Sequence, residues 1–194
     1  MKTVTLIRHG KPEFYDRISL KSFIRGADIQ NFIEDYNCCD LATTSVPQSL
    51  EDLVKGDGYF ISSSLKRARD SFRLIDVKKF EVSEMFVEAE LPFGILKNLK
   101  MPLFLWLFLL RTIWFFGYAK NCESLQDFKK RMERANTYVN EKLEQNDNVL
   151  IMAHGFVNMF LKKMFLKDNW VKVKCENQGK FLSYSKYERK IYSR

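Results

Sequence analysis

Paired cysteines are missing from this chain. Its four cysteines form no CxxC pair, and they stand at Cys38, Cys39, Cys122 and Cys175. Because zinc sites and disulfide frameworks need cysteines in pairs at set spacings, the sequence carries neither signature. We therefore expect free thiols in a reducing compartment. No signal-peptide pattern precedes the first predicted strand, so we expect a cytoplasmic protein.

Internal repeats, low-complexity linkers and nucleic-acid-binding motifs are also absent. A chain of 194 residues with 46% hydrophobic and 29% charged residues is typical of one domain with a full core, here taken as 1–194. The net charge is +8, and residues 162–194 hold ten basic residues against three acidic ones. A basic field attracts phosphorylated metabolites, nucleic acid or anionic lipid, but a solvated lysine-rich surface is the simpler interpretation. We expect no nucleic-acid partner, because no basic-aromatic motif supports one.

Short apolar runs predict buried strands that alternate with helices. The strands are predicted at 3–7, 59–61, within 77–87, at 149–153, at 181–184 and near 191–192. Helical spacing of apolar residues predicts helices at 27–36, 47–54, 65–75, 124–143 and 156–165, with Ser62 to Ser64 as a helix cap. This alternation indicates an α/β fold with a largely parallel sheet.

Three of the predicted strands run into residues suited to anion chemistry. The first leads into Arg8-His9-Gly10, the second leads to Arg67, and the late strand leads into His154. His9 and His154 are the only histidines in the chain, and each stands between a strand and a glycine. Ligands of parallel sheets bind outside the carboxyl ends of the strands. Arginine can hold phosphate and histidine can act as a nucleophile, so these residues predict one anion-handling site.

On these residues the chain resembles the histidine phosphatase superfamily, also called the phosphoglycerate-mutase-like superfamily. The matching motifs are Arg8-His9-Gly10, Ser62 to Ala68 with Ser71, Glu90 four residues before Gly94, and Ala153-His154-Gly155. Their order and rough spacing match over about residues 3–166. The resemblance implies a three-layer α/β fold, in which a mixed, mainly parallel sheet is flanked by helices.

The resemblance also implies a role for each motif residue. His9 would be the nucleophile that forms a phosphohistidine, and Glu90 would donate a proton to the leaving oxygen and then activate water. The phosphate pocket would consist of Arg8, Gly10, Arg67 and His154. Such chemistry needs no metal and no cofactor, because the arginines supply the electrostatic stabilisation.

Two departures from the family pattern affect the acid and the substrate contacts. Gly94 is followed by Ile95-Leu96-Lys97 instead of Trp-Glu-Gly, and no asparagine follows closely on Arg8-His9-Gly10. Glu84 and Glu88 lie close to Glu90 in the sequence. The choice of acid among the three therefore stays open.

Residues 101–118 are the most apolar part of the chain and contain one charge, Arg111. They are just long enough to span a bilayer, but a single span would place His9 and His154 on opposite sides. We therefore expect no transmembrane span. A buried helix, a wall of the substrate pocket and a dimer or membrane-surface patch remain as interpretations. In the superfamily that the chain resembles, this region often covers the active site. We therefore interpret residues 95–122 as an apolar insert or cap.

The resulting prediction is a metal-independent phosphatase that hydrolyses a small phosphomonoester with a partly apolar leaving group. A phosphoglycerate-mutase-type phosphotransferase and a catalytically idle protein that binds a phosphorylated ligand are the alternatives. A membrane-surface protein that uses 101–118 and the basic tail is a third. Peripheral membrane contact, a homodimer and the identity of the substrate stay open.

Overall fold

The computed structural model describes residues 1–189, which fold around a six-stranded sheet. The strands are β1 (Thr3–Arg8), β2 (Phe23–Arg25), β3 (Tyr59–Ser63), β4 (Glu81–Ser83), β5 (Lys100–Pro102), β6 (Asn148–Ala153), β7 (Trp170–Glu176) and β8 (Tyr184–Arg189). The helices are α1 (Phe14–Arg17), α2 (Ile29–Cys38), α3 (Gln48–Val54), α4 (Lys66–Leu74), α5 (Leu103–Phe115), α6 (Leu125–Gln145) and α7 (Gly155–Lys167).

The sheet has the strand order β4-β3-β6-β1-β8-β7. The four strands β4, β3, β6 and β1 are parallel, and β8 and β7 continue the sheet antiparallel. Strands β2 and β5 pair separately as a two-stranded ribbon. The predicted mixed, mainly parallel sheet flanked by helices is confirmed.

Alternate residues of β6 explain why helices cover both faces of the sheet. Val149 and Ile151 point into a core formed with α6 and α7. Leu150 and Met152 point into a second core formed with α3 and α4. A strand that is apolar on both faces must be buried on both, which places it inside a three-layer arrangement.

The 95–122 segment contains β5 and α5, and one face of α5 is buried. Leu103, Trp106, Leu110 and Trp114 are buried at helical spacing. The Nε1 atom of Trp106 donates a hydrogen bond to the carbonyl of Ile24 in β2, at 2.8 Å. The opposite face of α5 leaves large apolar side chains exposed. At 13 residues the helix is about 20 Å long, and no helix among residues 1–189 is long and apolar enough to cross a membrane.

Several predicted boundaries differ from the structure. Ser62 and Ser63 end β3 and do not cap α4, whose N-cap is Leu65. The predicted strand at 181–184 starts only at Tyr184, because Leu182 has a left-handed φ of 54°. The predicted strand near 191–192 lies outside the described residues. The short strands β2 and β5 and the lysine-rich edge strand β7 were not predicted, since each depends on pairing with a distant segment.

A pair of leucines on α5 tests whether this helix is part of the core. Leu110 is fully buried and Leu105 is 41% exposed. We expect Leu110→Ala to lower the free energy of unfolding by about 3 kcal/mol, because it leaves a cavity. The matched control Leu105→Ala should change it by no more than about 0.5 kcal/mol. Urea denaturation measures both, and equal losses would contradict the packing of α5.

Candidate active site

Adjacent parallel strands bring the two histidines together. Arg8, the last residue of β1, is in register with Ala153, the last residue of β6. The next residues are therefore neighbours: the N–H of His9 donates to the carbonyl of Ala153 at 3.0 Å. The rings of His9 and His154 have their centroids 4.9 Å apart, and both residues are buried.

The hydrogen bond of His9 determines which of its ring nitrogens is free. Its Nδ1 lies 2.7 Å from the carbonyl oxygen of Gly10. A carbonyl only accepts, so Nδ1 carries the hydrogen and the neutral ring keeps a lone pair on Nε2. Burial lowers the pKa of His9 well below its usual value, and the positive charges of Arg67 and Arg8 lower it further. His9 is therefore a neutral imidazole at neutral pH.

A hydrogen bond to Ser63, one of the serines predicted to cap a helix, orients the ring of His154. Its Nε2 lies 2.8 Å from the hydroxyl oxygen of Ser63, at the end of β3. Its Nδ1 is buried without a hydrogen-bond partner in the described structure. Burial, followed by the charge of Arg67, lowers the pKa of His154 well below its usual value. Ser63 thus fixes the ring with one nitrogen directed away from the serine.

Arg67 is a buried cation in the first turn of α4. One guanidinium nitrogen donates to the side-chain oxygen of Asn37 at 2.8 Å, and the guanidinium carbon lies 4.6 Å from the ring centroid of Tyr36. Its Nε is buried and has no hydrogen-bond partner among residues 1–189. Burial lowers the pKa of Arg67 from its usual value. Asn37 was not predicted, because it comes from α2, far from the motifs in sequence.

Arg8 approaches the histidines from the end of β1. Its Nη1 donates to the carbonyl of Gly179 at 2.7 Å, and its guanidinium carbon lies 4.6 Å from the ring centroid of Phe181. Its Nε, like that of Arg67, is buried without a partner in residues 1–189. Buried donors normally have partners, so the unpaired groups of the two arginines are suited to an incoming anion.

Gly10 connects the site through two hydrogen bonds of its backbone, one to Ser71 and one to His9. Its N–H donates to the hydroxyl of Ser71 at 2.7 Å, and its carbonyl accepts from the ring of His9. A Cβ at this position would lie 3.3 Å from the Ser71 oxygen. The backbone N–H of Gly10 is therefore not free to donate to a phosphate, as the predicted contact would require. In the structure, Gly10 orients the ring of His9 through its carbonyl oxygen.

The three candidate acids lie in different places. Glu90 is exposed, and its carboxylate accepts from the N–H of Glu123 at 3.2 Å. Glu88 is half-buried, and both of its oxygens lie 3.2 Å from the N–H of Phe156, two residues after His154. Glu88 and Glu90 both line the cleft in front of His9, whereas Glu84 is exposed and does not. Of the three carboxylates, only that of Glu88 is bonded beside His154.

Two arginines hold the backbone of the segment that carries Glu88. Arg111 donates to the carbonyls of Ala89 and Glu90, at 2.8 and 3.3 Å. Arg131 donates to the carbonyls of Met85 and Val87, both at 2.8 Å, and its guanidinium is paired with Glu123. In the sequence, Arg111 stands out only as the one charge in an apolar run. A single charged residue within an apolar segment was the only sign in the sequence that Arg111 has a structural or functional role.

The cleft has a volume of about 550 Å³ and contains His9, Arg8, Arg67 and Glu88 in its lining. Within residues 1–189 no group of three or more His, Cys, Asp or Glu side chains is placed to hold a metal ion. The arrangement combines a neutral imidazole with a free nitrogen, two cations with unpaired donors, and two carboxylates, of which that of Glu88 is bonded beside His154. Such a set can bind a phosphoryl group and attack it.

The fold and this site define a phosphoryl-transfer class of protein. The chain belongs to the histidine phosphatase superfamily (branch 1), whose family model matches residues 43–180. That range contains Arg67, Glu88 and His154, and it starts after Arg8 and His9.

Solved structures of this superfamily's fold are similar to the chain. A mycobacterial glucosyl-3-phosphoglycerate phosphatase in complex with VO3 aligns with 19% identity and a TM-score of 0.60, over 99% of this chain and 98% of that chain. The phosphoglycerate mutase of Bacillus anthracis aligns with 18% identity and a TM-score of 0.55, over 97% of this chain and 88% of that chain. An Entamoeba histolytica phosphoserine phosphatase in complex with 3-phosphoglyceric acid aligns with 21% identity and a TM-score of 0.53, over 86% of this chain and 81% of that chain. No curated protein sequence matched the chain. At these identities the similarity shows the shared fold alone.

The lowered pKa values of the two histidines predict a pH-dependent stability. Unfolded histidine titrates near pH 6.5, whereas folded His9 and His154 stay neutral to well below that pH. Below about pH 6.5 the unfolded chain takes up protons that the folded protein does not. We therefore expect the free energy of unfolding to fall by up to about 1.4 kcal/mol per pH unit for each histidine.

Urea denaturation at pH 7.5 and pH 5.5 measures this loss. The variant His9→Gln removes one of the two titrating groups and should reduce the pH dependence by about half. An unchanged dependence in that variant would show that His9 does not titrate as the structure indicates.

Proposed function

We propose that this protein is a metal-independent phosphatase that hydrolyses a small phosphomonoester through a phosphohistidine at His9. The observation that carries the proposal is the state of His9. It is buried and neutral, its Nδ1–H is bonded to Gly10, and Nε2 is left as the nucleophile beside two guanidinium groups. A site that only bound phosphate would not need a neutral, oriented imidazole among cations.

In the first step the Nε2 lone pair of His9 attacks phosphorus and the bond to the leaving alcohol oxygen breaks. Charge on the three equatorial oxygens is stabilised by the cations Arg8 and Arg67. If Ser63 donates to Nε2 of His154, the Nδ1 of that ring carries a hydrogen and supplies a further donor. In the second step water attacks phosphorus, the nitrogen–phosphorus bond breaks, and phosphate leaves with His9 restored.

We assign the proton transfers to Glu88 instead of Glu90. Glu88 would protonate the leaving alcohol and then take a proton from the attacking water. Its carboxylate is bonded at the amino end of α7, two residues from His154, whereas the carboxylate of Glu90 is bonded to Glu123. A carboxyl group in this position can give a proton to a leaving oxygen and take one from water.

Replacement of the nucleophile tests the reaction. Turnover of 4-nitrophenyl phosphate in the presence of EDTA should be retained by the wild-type protein and reduced at least about 1000-fold in His9→Ala. Quenching in alkaline detergent during turnover should trap phosphate on the wild-type chain alone, and this phosphate should be released by acid. Loss of wild-type turnover with EDTA, or unchanged turnover in the variant, would overturn the mechanism.

The two carboxylates form a matched pair for a test of the general acid. Glu88→Gln should lower kcat/KM about 100-fold or more for an alkyl phosphate, whose leaving oxygen needs a proton. The same variant should lose much less kcat/KM with 4-nitrophenyl phosphate, because that leaving group departs as an anion and kcat/KM does not include the later attack of water. Glu90→Gln should stay within about threefold on both substrates. The reverse order of effects would assign the acid to Glu90.

A further inference from the structure

The cleft in front of His9 extends past the phosphate-binding groups between two apolar walls. One wall comes from α1 and α2 and presents Tyr15, Phe32 and Tyr36. The other comes from α5 and α7 and presents Phe108 and Phe156. A cleft of about 550 Å³ is much larger than a phosphoryl group, so it also has room for the alcohol part of a substrate.

Three of the polar side chains outside the phosphate-binding group are already bonded to protein partners. The side-chain oxygen of Asn37 accepts from Arg67, and the carboxylate of Glu90 accepts from Glu123. Arg111 donates to two carbonyls, and the ring centroid of Phe156 lies 4.1 Å from its guanidinium carbon. Among the described lining residues there is no Ser, Thr, Gln or Lys. Beyond the phosphate-binding groups, the hydroxyls of Tyr15 and Tyr36 are the main polar atoms left for a ligand, so a sugar with several hydroxyl groups would lose more water contacts than it gains protein partners.

The mouth of the cleft is apolar as well. Phe108 lines the cleft and is 72% exposed, and Phe104, one turn earlier on α5, is also exposed. Met159 extends the same surface from α7. Residues 91–122 contain four basic residues and no acidic one. Large exposed apolar side chains at a cleft commonly mark a ligand-binding surface.

We propose that the natural substrate is a phosphomonoester whose alcohol part is apolar, either an aromatic ring or an alkyl chain. The apolar part lies between the α2 wall and the α5–α7 wall, and the phosphoryl group reaches His9. This inference rests on the proposed phosphatase function and adds the class of leaving group. A soluble aryl or alkyl phosphate and a lipid phosphate share this chemistry.

A homologous series of substrates measures the effect of the walls. Methyl, butyl, hexyl and octyl phosphate have leaving groups of the same kind and differ in apolar area. We expect kcat/KM to rise about three- to fourfold per methylene until the chain leaves the cleft. Ribose 5-phosphate and 3-phosphoglycerate should be turned over no better than methyl phosphate. A flat series, or a preference for the polar phosphates, would overturn the inference.

Two exposed phenylalanines, Phe108 within α5 and Phe116 directly after it, provide the variant and its control. Phe108→Ser should lower the ratio of kcat/KM for octyl over methyl phosphate about tenfold. Phe116→Ser changes a residue that is 88% exposed and outside the cleft lining, and it should leave this ratio unchanged. Equal effects of the two substitutions would count against a specific wall.

Binding measurements separate this inference from the reaction itself. Calorimetry with His9→Ala compares octyl with methyl phosphate without any turnover. Tighter binding of octyl phosphate supports the apolar cleft even if the phosphatase reaction fails, and equal binding overturns it even if turnover is found. Phosphatidate in phosphatidylcholine vesicles identifies the source of the alcohol: hydrolysis there indicates a lipid phosphate, and hydrolysis of monomeric substrates alone indicates a soluble one.

Discussion

The parallel pairing of β1 with β6 is the constraint on which the site depends. Its register places Arg8 beside Ala153, so that the residues immediately after both strands are the two histidines. Their burial among cations favours the neutral rings, and it does so at a cost in stability at low pH. A shift of one residue in this register would separate the rings and turn the side chains of β1 to the opposite face.

The segment around Glu88 has no regular structure of its own next to the site, and side chains hold it there. Arg111 comes from α5 and Arg131 from α6, and together they bond four carbonyls of residues 85–90. Backbone carbonyls fixed by guanidinium groups limit how far the carboxylate of Glu88 can move. Glu88 is thus positioned by two helices that lie after it in the chain, which is why its local sequence says little about its place.

The sequence was sufficient to predict the residues of the site that follow the ends of strands. His9, His154, Arg8 and Arg67 could be predicted because a buried strand that runs into a polar group is a local pattern, and the fold then follows from alternation. The contacts of Asn37, Ser63 and Arg111 could not be predicted, since each depends on which distant segment packs against it. Glu88 and Glu90 illustrate the same limit: they are two residues apart, and only tertiary contacts distinguish their carboxylates.

Helix α5 shows why an apolar run resists interpretation from sequence. A helix that is apolar all round is normally buried all round, yet here one face packs on the fold while the other face remains exposed. The buried face, with Trp106 and Leu110, fastens the helix to α2 and the β2–β5 ribbon. The exposed face adds no packing to the fold, so its apolar side chains are free to contact a ligand. Through Phe108 that face is continuous with the cleft at His9, and a ligand with an apolar body would bury both at once.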